Sequence, residues 1–326
     1  DQDLQYEYDS VGNRVRTVVN GVETSYDTNT LNQVTTVGDR SYSYDLDGNL
    51  IREDGPDGTT VYTYNDENQL VGIARGEEAW SYTYDAMGHR VAADDNGTVT
   101  HYVIDPVGLG NVVGTYDADG DLIARYVHGS GLVSRWSPTD GHGYYTFDPM
   151  GNTSELTSAA GAAQNTYAYR PFGGLMRHQQ NIPNPFEFIG QFGAMAESAG
   201  HHYIRARNYQ TSLGTFTSMD PLSLEGGDVN LYRYALGNPV SFIDADGEFA
   251  ISTAIAWGVS GYISYRGACA LKAASDSALA KRRASSNHDI LDERSMSSST
   301  KNLGLNYKEA ETAIKFVTPD PLGKIP

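Results

Sequence analysis

The chain of 326 residues contains one cysteine, Cys269, so no disulfide can form within it, and a cysteine-based metal site is excluded. No run of 18 apolar residues occurs. The nearest approach begins at Phe249–Trp257 and soon meets Arg266 and many small polar residues, so no transmembrane span is expected. Phenylalanine is scarce, with 9 residues against 23 tyrosines. Positive charge is scarce too: 23 Lys+Arg face 41 Asp+Glu, a net charge of −18. The shortage is local. Residues 248–326 hold 10 Lys+Arg and 8 Asp+Glu, which leaves 13 and 33 for residues 1–247, a net charge of −20. A body that acidic repels polyanions and is not expected to bind nucleic acid. The composition shift near residue 247 marks the clearest domain boundary. No secretory leader is visible. The chain opens at Asp1-Gln2-Asp3-Leu4, already inside a repeat, and reads as a fragment with targeting signals upstream.

What is present is repetition. Tyr6-Glu7-Tyr8-Asp9-Ser10-Val11-Gly12-Asn13-Arg14-Val15 recurs as Tyr42–Ile51 and Tyr82–Val91, and in altered form as Tyr62–Val71. Tyr26-Asp27 opens another copy. Weaker copies lie at Tyr102–Gly108, Tyr116–Gly120, Phe147–Asn152 and Tyr167–Gly173. The anchors Tyr8, Tyr26, Tyr44, Tyr64, Tyr84 and Ile104 are spaced by 18, 18, 20, 20 and 20 residues. Within a unit, Tyr-x-Tyr places both rings on one face of a strand. The following Asp-x-x-Gly-Asn is turn chemistry, because Asp bonds its own downstream backbone and Gly or Asn accepts positive φ. A second strand with alternating apolar residues, such as Leu50, Ile51, Val91 and Ala93, completes a hairpin. One hairpin is unstable alone, and hairpins stacked side by side share a core. A propeller blade needs about 40–45 residues, so units this short favour a spiral of hairpins.

This Tyr-Asp-x-x-Gly-Asn pattern resembles the YD repeat of the RHS and teneurin families. Residues 186–247 add to the resemblance. Phe186-Glu187-Phe188-Ile189-Gly190-Gln191, His202–Tyr209, Leu213–Pro221 and Leu224–Tyr234 are similar to the RHS-associated core. The resemblance implies a mainly β fold, a partial spiralling antiparallel shell over residues 1–185. A plug follows at 186–247, and a small, largely helical C-terminal segment at 248–326, held in the shell as a toxin. It further implies a cognate immunity protein, delivery machinery, and a secreted or cell-surface location. No cofactor is implied. The competing reading is a cell-surface adhesion module whose exposed tyrosines stack on glycans.

In many RHS members the core also cuts its own chain by aspartyl-protease chemistry. That chemistry needs one ionised and one protonated carboxyl, with an arginine to keep one of them charged. Matched by motif, the resemblance assigns Arg207 as the arginine, Asp220 as one carboxyl, and Asp244 or Asp246 as the other, with cleavage in the region of Gly247, Glu248 and Phe249. This sequence departs from the family pattern at Asn208, where cutting relatives carry an acid, at Ser223 in place of Gly, and at Ala245 in place of Pro. The alternative reading is that Asp220 caps a turn before Pro221 and that Asp244–Gly247 is a plain turn. His201-His202 is expected to pack, not to bind metal. In the tail, Ala250–Leu271, Ser275–Arg283 and Lys308–Phe316 read as helices. His288, Asp289, Asp292 and Glu293 are read as a charged loop in preference to a nuclease cluster, and Cys269 as a small packed hydrophobe.

Overall fold

A computed structural model of the chain describes residues 2–197 and 199–252. Eighteen strands, from Leu4–Tyr8 to Leu175–Gln180, form one antiparallel sheet in which each strand pairs with its neighbours in sequence. Local turn chemistry accounts for this order. In the first unit the Asp9 carboxylate accepts from the amides of Val11 (3.0 Å) and Asn13 (2.8 Å) and from the Asn13 side chain (2.9 Å). The same bonding recurs around Asp45, Asn65, Asp85 and Asp148. The aspartate therefore folds its own turn, with no long-range partner required.

Beyond each of these turns the register slips by one residue. Tyr44 faces Leu50 while Ser43 faces Arg52, which leaves Ile51 as the extra residue of a bulge. Val15, Val71 and Val91 stand in the same place in their own units. The expected plain alternation after the turn is thus broken once per unit: Leu50 is wholly buried and Ile51 is not. A bulge increases the local right-handed twist and bends the strand. Repeated at one position per hairpin, it curls the sheet. Its two ends meet at one corner, where the Tyr6 and Phe172 rings lie 5.2 Å apart and Arg170 reaches Gln2 at 3.2 Å. The first and last strands do not pair with each other.

The inner face carries the repeat tyrosines. Tyr42, Tyr62 and Tyr82 are buried beside Leu50, Leu70, Ile73 and Trp80, and Tyr44, Tyr64 and Tyr84 pack against the same core. Rings in that position are not available for stacking on an external glycan. The outer face holds ion pairs, Arg16 with Glu7 and Glu23 (2.6 and 2.8 Å) and Arg52 with Asp54 (2.6 Å). Exposed pairs of this kind contribute roughly 0–1 kcal/mol each.

Residues beyond 180 fill one end of the curl. They include a four-stranded sheet of Met195–Ala196, His201–Ile204, Arg207–Gln210 and Thr215–Phe216. This plug meets the wall at the edge lined by the Asp-x-x-Gly-Asn turns. Asn230 donates to Asn13 (2.7 Å), Gln33 to the Tyr232 hydroxyl (2.9 Å), and Tyr232 to the Gly48 carbonyl (2.8 Å). The Leu50 amide reaches the Thr217 carbonyl (2.8 Å), Gln191 reaches Gly151 (3.0 Å), and Tyr209 reaches Phe172 (2.9 Å). Glycine serves two purposes at this edge. Gly48 and Gly173 adopt φ of 83° and 87°, and a Cβ on either would meet the Tyr232 hydroxyl at 2.6 Å or the Phe188 ring at 2.9 Å. The turn at residues 117–121 has the same aspartate bonding but lies at the opposite edge, one strand out of phase with the others.

Ile251–Ser252, expected to open a helix, instead pairs with Phe242–Ile243 as a strand. The pairing follows from Ile251 being buried against the plug, which overrides the helical tendency of the alanine-rich stretch. The other helices read in the tail, Cys269 and the cluster at His288 lie outside the described residues. Among the described residues no helix is long and apolar enough to cross a membrane.

Two expectations follow. Leu50→Ala removes a wholly buried side chain shared by wall and plug, and it should cost about 3 kcal/mol in urea unfolding. Leu46→Ala, at a fully exposed turn position, should be neutral. His201 and His202 are buried, packed on Tyr62 and Phe188, and burial pulls both pKa values down from 6.5 to about 4. Arg75 and Arg90 lower that of His201 further and Glu53 raises it, while His201 lowers that of His202. The unfolded chain then binds protons between pH 6.5 and 4 that the folded chain does not. Stability should therefore fall as pH drops through that window, and His201→Gln with His202→Gln should flatten the fall between pH 6.5 and 5.

Candidate active site

Arg207–Gln210 is a central strand of the plug sheet, wholly buried, and alternation along it sends Arg207 and Asn208 to opposite faces. On its own face the Arg207 guanidinium lies 3.6 Å over the Phe216 ring and is almost wholly removed from solvent. It is tied on several sides. Nη2 contacts Asp220 Oδ2 at 2.9 Å and Asp244 Oδ2 at 3.2 Å, Nη1 donates to the Leu231 carbonyl at 2.9 Å, and Nε donates to the Gly247 carbonyl. The structure thus brings together Arg207, Asp220, Asp244 and Gly247, residues that are far apart in sequence.

Asn208 is not part of this constellation. Its Oδ1 accepts from Arg90 Nη2 at 3.3 Å, and Arg90 in turn pairs with Glu197. An acid at position 208 would face Arg90, not the Asp220–Asp244 pair. The second carboxyl near Arg207 comes instead from the loop that follows Phe242–Ile243.

That loop, residues 244–250, is closed by the strand pairing of Phe242–Ile243 with Ile251–Ser252. Asp244 Oδ1 accepts from the amides of Gly247 (2.8 Å), Glu248 (3.2 Å) and Phe249 (3.3 Å). Asp246 Oδ1 accepts from Glu248 (3.0 Å) and Phe249 (3.2 Å), and its carbonyl anchors the loop to the Ala206 amide (3.0 Å). Asp246 was weighed in the sequence only as an alternative to Asp244, and the structure uses both. Their spacing by two residues in a turn-rich motif is the signal that favours both. Gly247 has φ 77°, and a Cβ there would strike the Ile204 carbonyl. Only glycine fits.

Electrostatics separate the carboxyls. Burial, and then the neighbouring Asp246, push Asp244 up to about 8, although Arg207 pulls the other way. Asp220 is less enclosed. Burial raises its pKa as well, and Arg207 and the Leu222 amide oppose that rise. The two sequence readings describe one geometry. Asp220 does cap its turn, Oδ1 accepting from Leu222 at 2.8 Å, while Oδ2 is on Arg207. Ser223, at the family's glycine position, takes a left-handed φ of 52°, a strain of about 1–2 kcal/mol that glycine would avoid. The buried Ala245 fills the place of the family's proline.

Residues 1–240 match the family model described as Teneurin YD-shell. The chain is 32% identical over 262 residues to the tRNA3(Ser)-specific nuclease WapA of Bacillus spizizenii, a match covering 76% of this chain and 11% of that protein. It is 27% identical over 244 residues to the probable deoxyribonuclease RhsA of Dickeya dadantii, covering 69% of this chain and 16% of that one. This chain thus spans a small fraction of the length of either relative. Among solved structures, the Tc holotoxin pore of Photorhabdus luminescens aligns over 77% of this chain and 17% of its own, at 17% identity and a TM-score of 0.48. On the family-model match the chain belongs to the teneurin YD-shell family.

Proposed function

We propose that this chain is the C-terminal end of the shell of a secreted RHS-type toxin, and that its plug hydrolyses the chain at Glu248–Phe249 to free the segment that follows. In this reading residues 1–185 form shell wall, 186–247 the plug, and 248–326 an effector carried by the shell and neutralised in the producing cell by an immunity protein. Nuclease names among the relatives support the general role of a shell that carries an effector. The observation that carries the cleavage reading is the pairing, across one buried arginine, of two carboxyls, one of them wholly buried with its pKa raised by burial. The loop that would be cut is hydrogen-bonded to the buried one.

The chemistry follows from the positions. Ionised Asp220 takes a proton from a water molecule as the water oxygen adds to the Glu248 carbonyl carbon. The Phe249 nitrogen already lies 3.3 Å from Asp244 Oδ1. When the carbon–nitrogen bond breaks, the Asp244 proton passes to that nitrogen, leaving a carboxyl group on Glu248 and an amine on Phe249. Arg207 fixes both carboxyls and the Gly247 carbonyl, and keeps negative charge on Asp220 favourable.

The test is intact mass of the purified 326-residue chain after a day at neutral and at mildly acidic pH. The expected result is a split at residue 248, slowed about a thousandfold in Asp220→Ala. Asn208→Asp should leave the rate unchanged, since position 208 faces Arg90. Cutting should slow above about pH 8, where Asp244 loses the proton it donates. A single uncut mass in the native chain would overturn the cleavage reading.

A further inference from the structure

Gly226 is buried, two turns of chain away from the residues named above, at the end of the short 3-10 helix Ser223–Gly226. Its φ is not in the left-handed region, so its backbone does not demand glycine. The surroundings do. A Cβ built on Gly226 would lie 2.9 Å from Asp220 Oδ2, 3.2 Å from the Asp220 carboxyl carbon, and 3.1 Å from the Glu248 carbonyl oxygen. The Asp220 carboxylate and the carbonyl of the bond to be cut therefore converge on the same bare Cα. Neither group can retreat freely, because Asp220 is held by Arg207 and by the Leu222 amide, and Glu248 by the hydrogen bonds of its own amide to Asp244 and Asp246.

We propose that Gly226 is a positioning residue for self-cleavage. Its missing side chain lets the Asp220 carboxylate and the Glu248 carbonyl approach each other, and so sets which peptide bond Asp220 serves. The proposal rests on the cleavage reading above. A methyl group at this position would have to push one of the two groups aside. If Asp220 moves, it leaves Arg207 and its pKa climbs. If Glu248 moves, the bond moves out of reach of the base.

The adjacent glycine provides the control. Gly227 has φ 86°, so alanine there strains the backbone, but its Cβ would meet only a Phe249 ring carbon, at an ordinary 3.6 Å. Gly227→Ala is thus a cost to folding without intrusion between Asp220 and Glu248. The experiment is a time course of intact mass from pH 4 to 9 for the native full-length chain, Gly226→Ala, Gly227→Ala and Asp220→Ala, with urea unfolding of each. The expected result is at least a hundredfold slower cutting in Gly226→Ala, with the acid limb of its pH–rate profile displaced to higher pH as Asp220 loses the Arg207 contact. Gly227→Ala should cut within a few-fold of the native rate, even where it unfolds at lower urea. If Gly226→Ala cuts at the native rate with an unmoved profile, the positioning role is wrong while the protease stands. If both glycine variants slow in proportion to lost stability, Gly226 is structural only and the proposal falls. If the native chain does not cut, the cleavage reading fails and takes this inference with it.

Discussion

Everything in this molecule is hung on an aspartate that hydrogen-bonds its own turn. Each Asp-x-x-Gly-Asn unit closes a five-residue loop with local bonds alone, so the edge of the sheet that carries these loops is specified without any distant contact. The bulge that follows bends every hairpin the same way, and the curl leaves a concave inner face lined by tyrosines. The same turns then present carbonyls and bare glycines to the plug. One local device thus determines strand order, curvature and docking surface together. Contacts such as Asn13–Asn230 and Gln33–Tyr232 join residues about two hundred positions apart through groups that the turns had already placed.

The plug accepts a heavier electrostatic cost. Burying a guanidinium is favourable only if its donors and its charge are met. Arg207 meets them with two carboxyls, two carbonyls and an aromatic face. Arg90 solves the same problem with Glu197, Asn208 and the rings of Tyr82 and Tyr203. The two arginines differ in their acids. Arg90 has one close carboxylate, and that pair is a structural clamp between wall and plug. Arg207 has two, and one cation cannot hold two buried carboxyls fully ionised. The mismatch appears as the raised pKa of Asp244. Perturbation of that kind is the physical mark of a candidate catalytic centre.

The wall was legible in the sequence because its determinants are local. Tyr-x-Tyr, the turn residues and the 18- to 20-residue period each follow from backbone geometry, and each reappears as strand, turn and hairpin. The bulge at Ile51 and its equivalents was not legible. Two consecutive apolar residues after a turn read as ordinary alternation, and only the register against Tyr44 reveals the slip. The phase change at residues 117–121 was hidden for a similar reason, since identical turn chemistry can sit at either edge of a sheet. At the candidate site, Arg207, Asp220 and Asp244 were reachable by motif. Gly226 was not, because its significance lies in two groups, Asp220 and Glu248, that come together over it only in three dimensions. The sequence reading of Asn208 came from the family pattern, while the side it faces is visible only in the structure, where Asn208 Oδ1 accepts from Arg90. In a strand, adjacency means opposite faces.

A protease joined covalently to its substrate acts once, and the geometry bears on how that single event would end. Before cutting, the loop 244–250 is neutral at the Glu248–Phe249 bond and donates amides to Asp244 and Asp246. Hydrolysis would replace that neutral peptide with a carboxylate on residue 248, beside Asp220, Asp244 and Asp246. Like charges brought together in a buried setting repel strongly. Asp220 would by then hold the proton taken from water as Asp244 gave up its own, so the charge added to the pocket is that of the new carboxylate. The reaction would thus remove two of the conditions that made it possible, the neutral peptide and the amide bond from Phe249. Re-ligation is disfavoured by the same repulsion. In the proposed cleavage, release of the downstream segment would need no separate motor, because the charge balance of the plug would turn against holding the cut end.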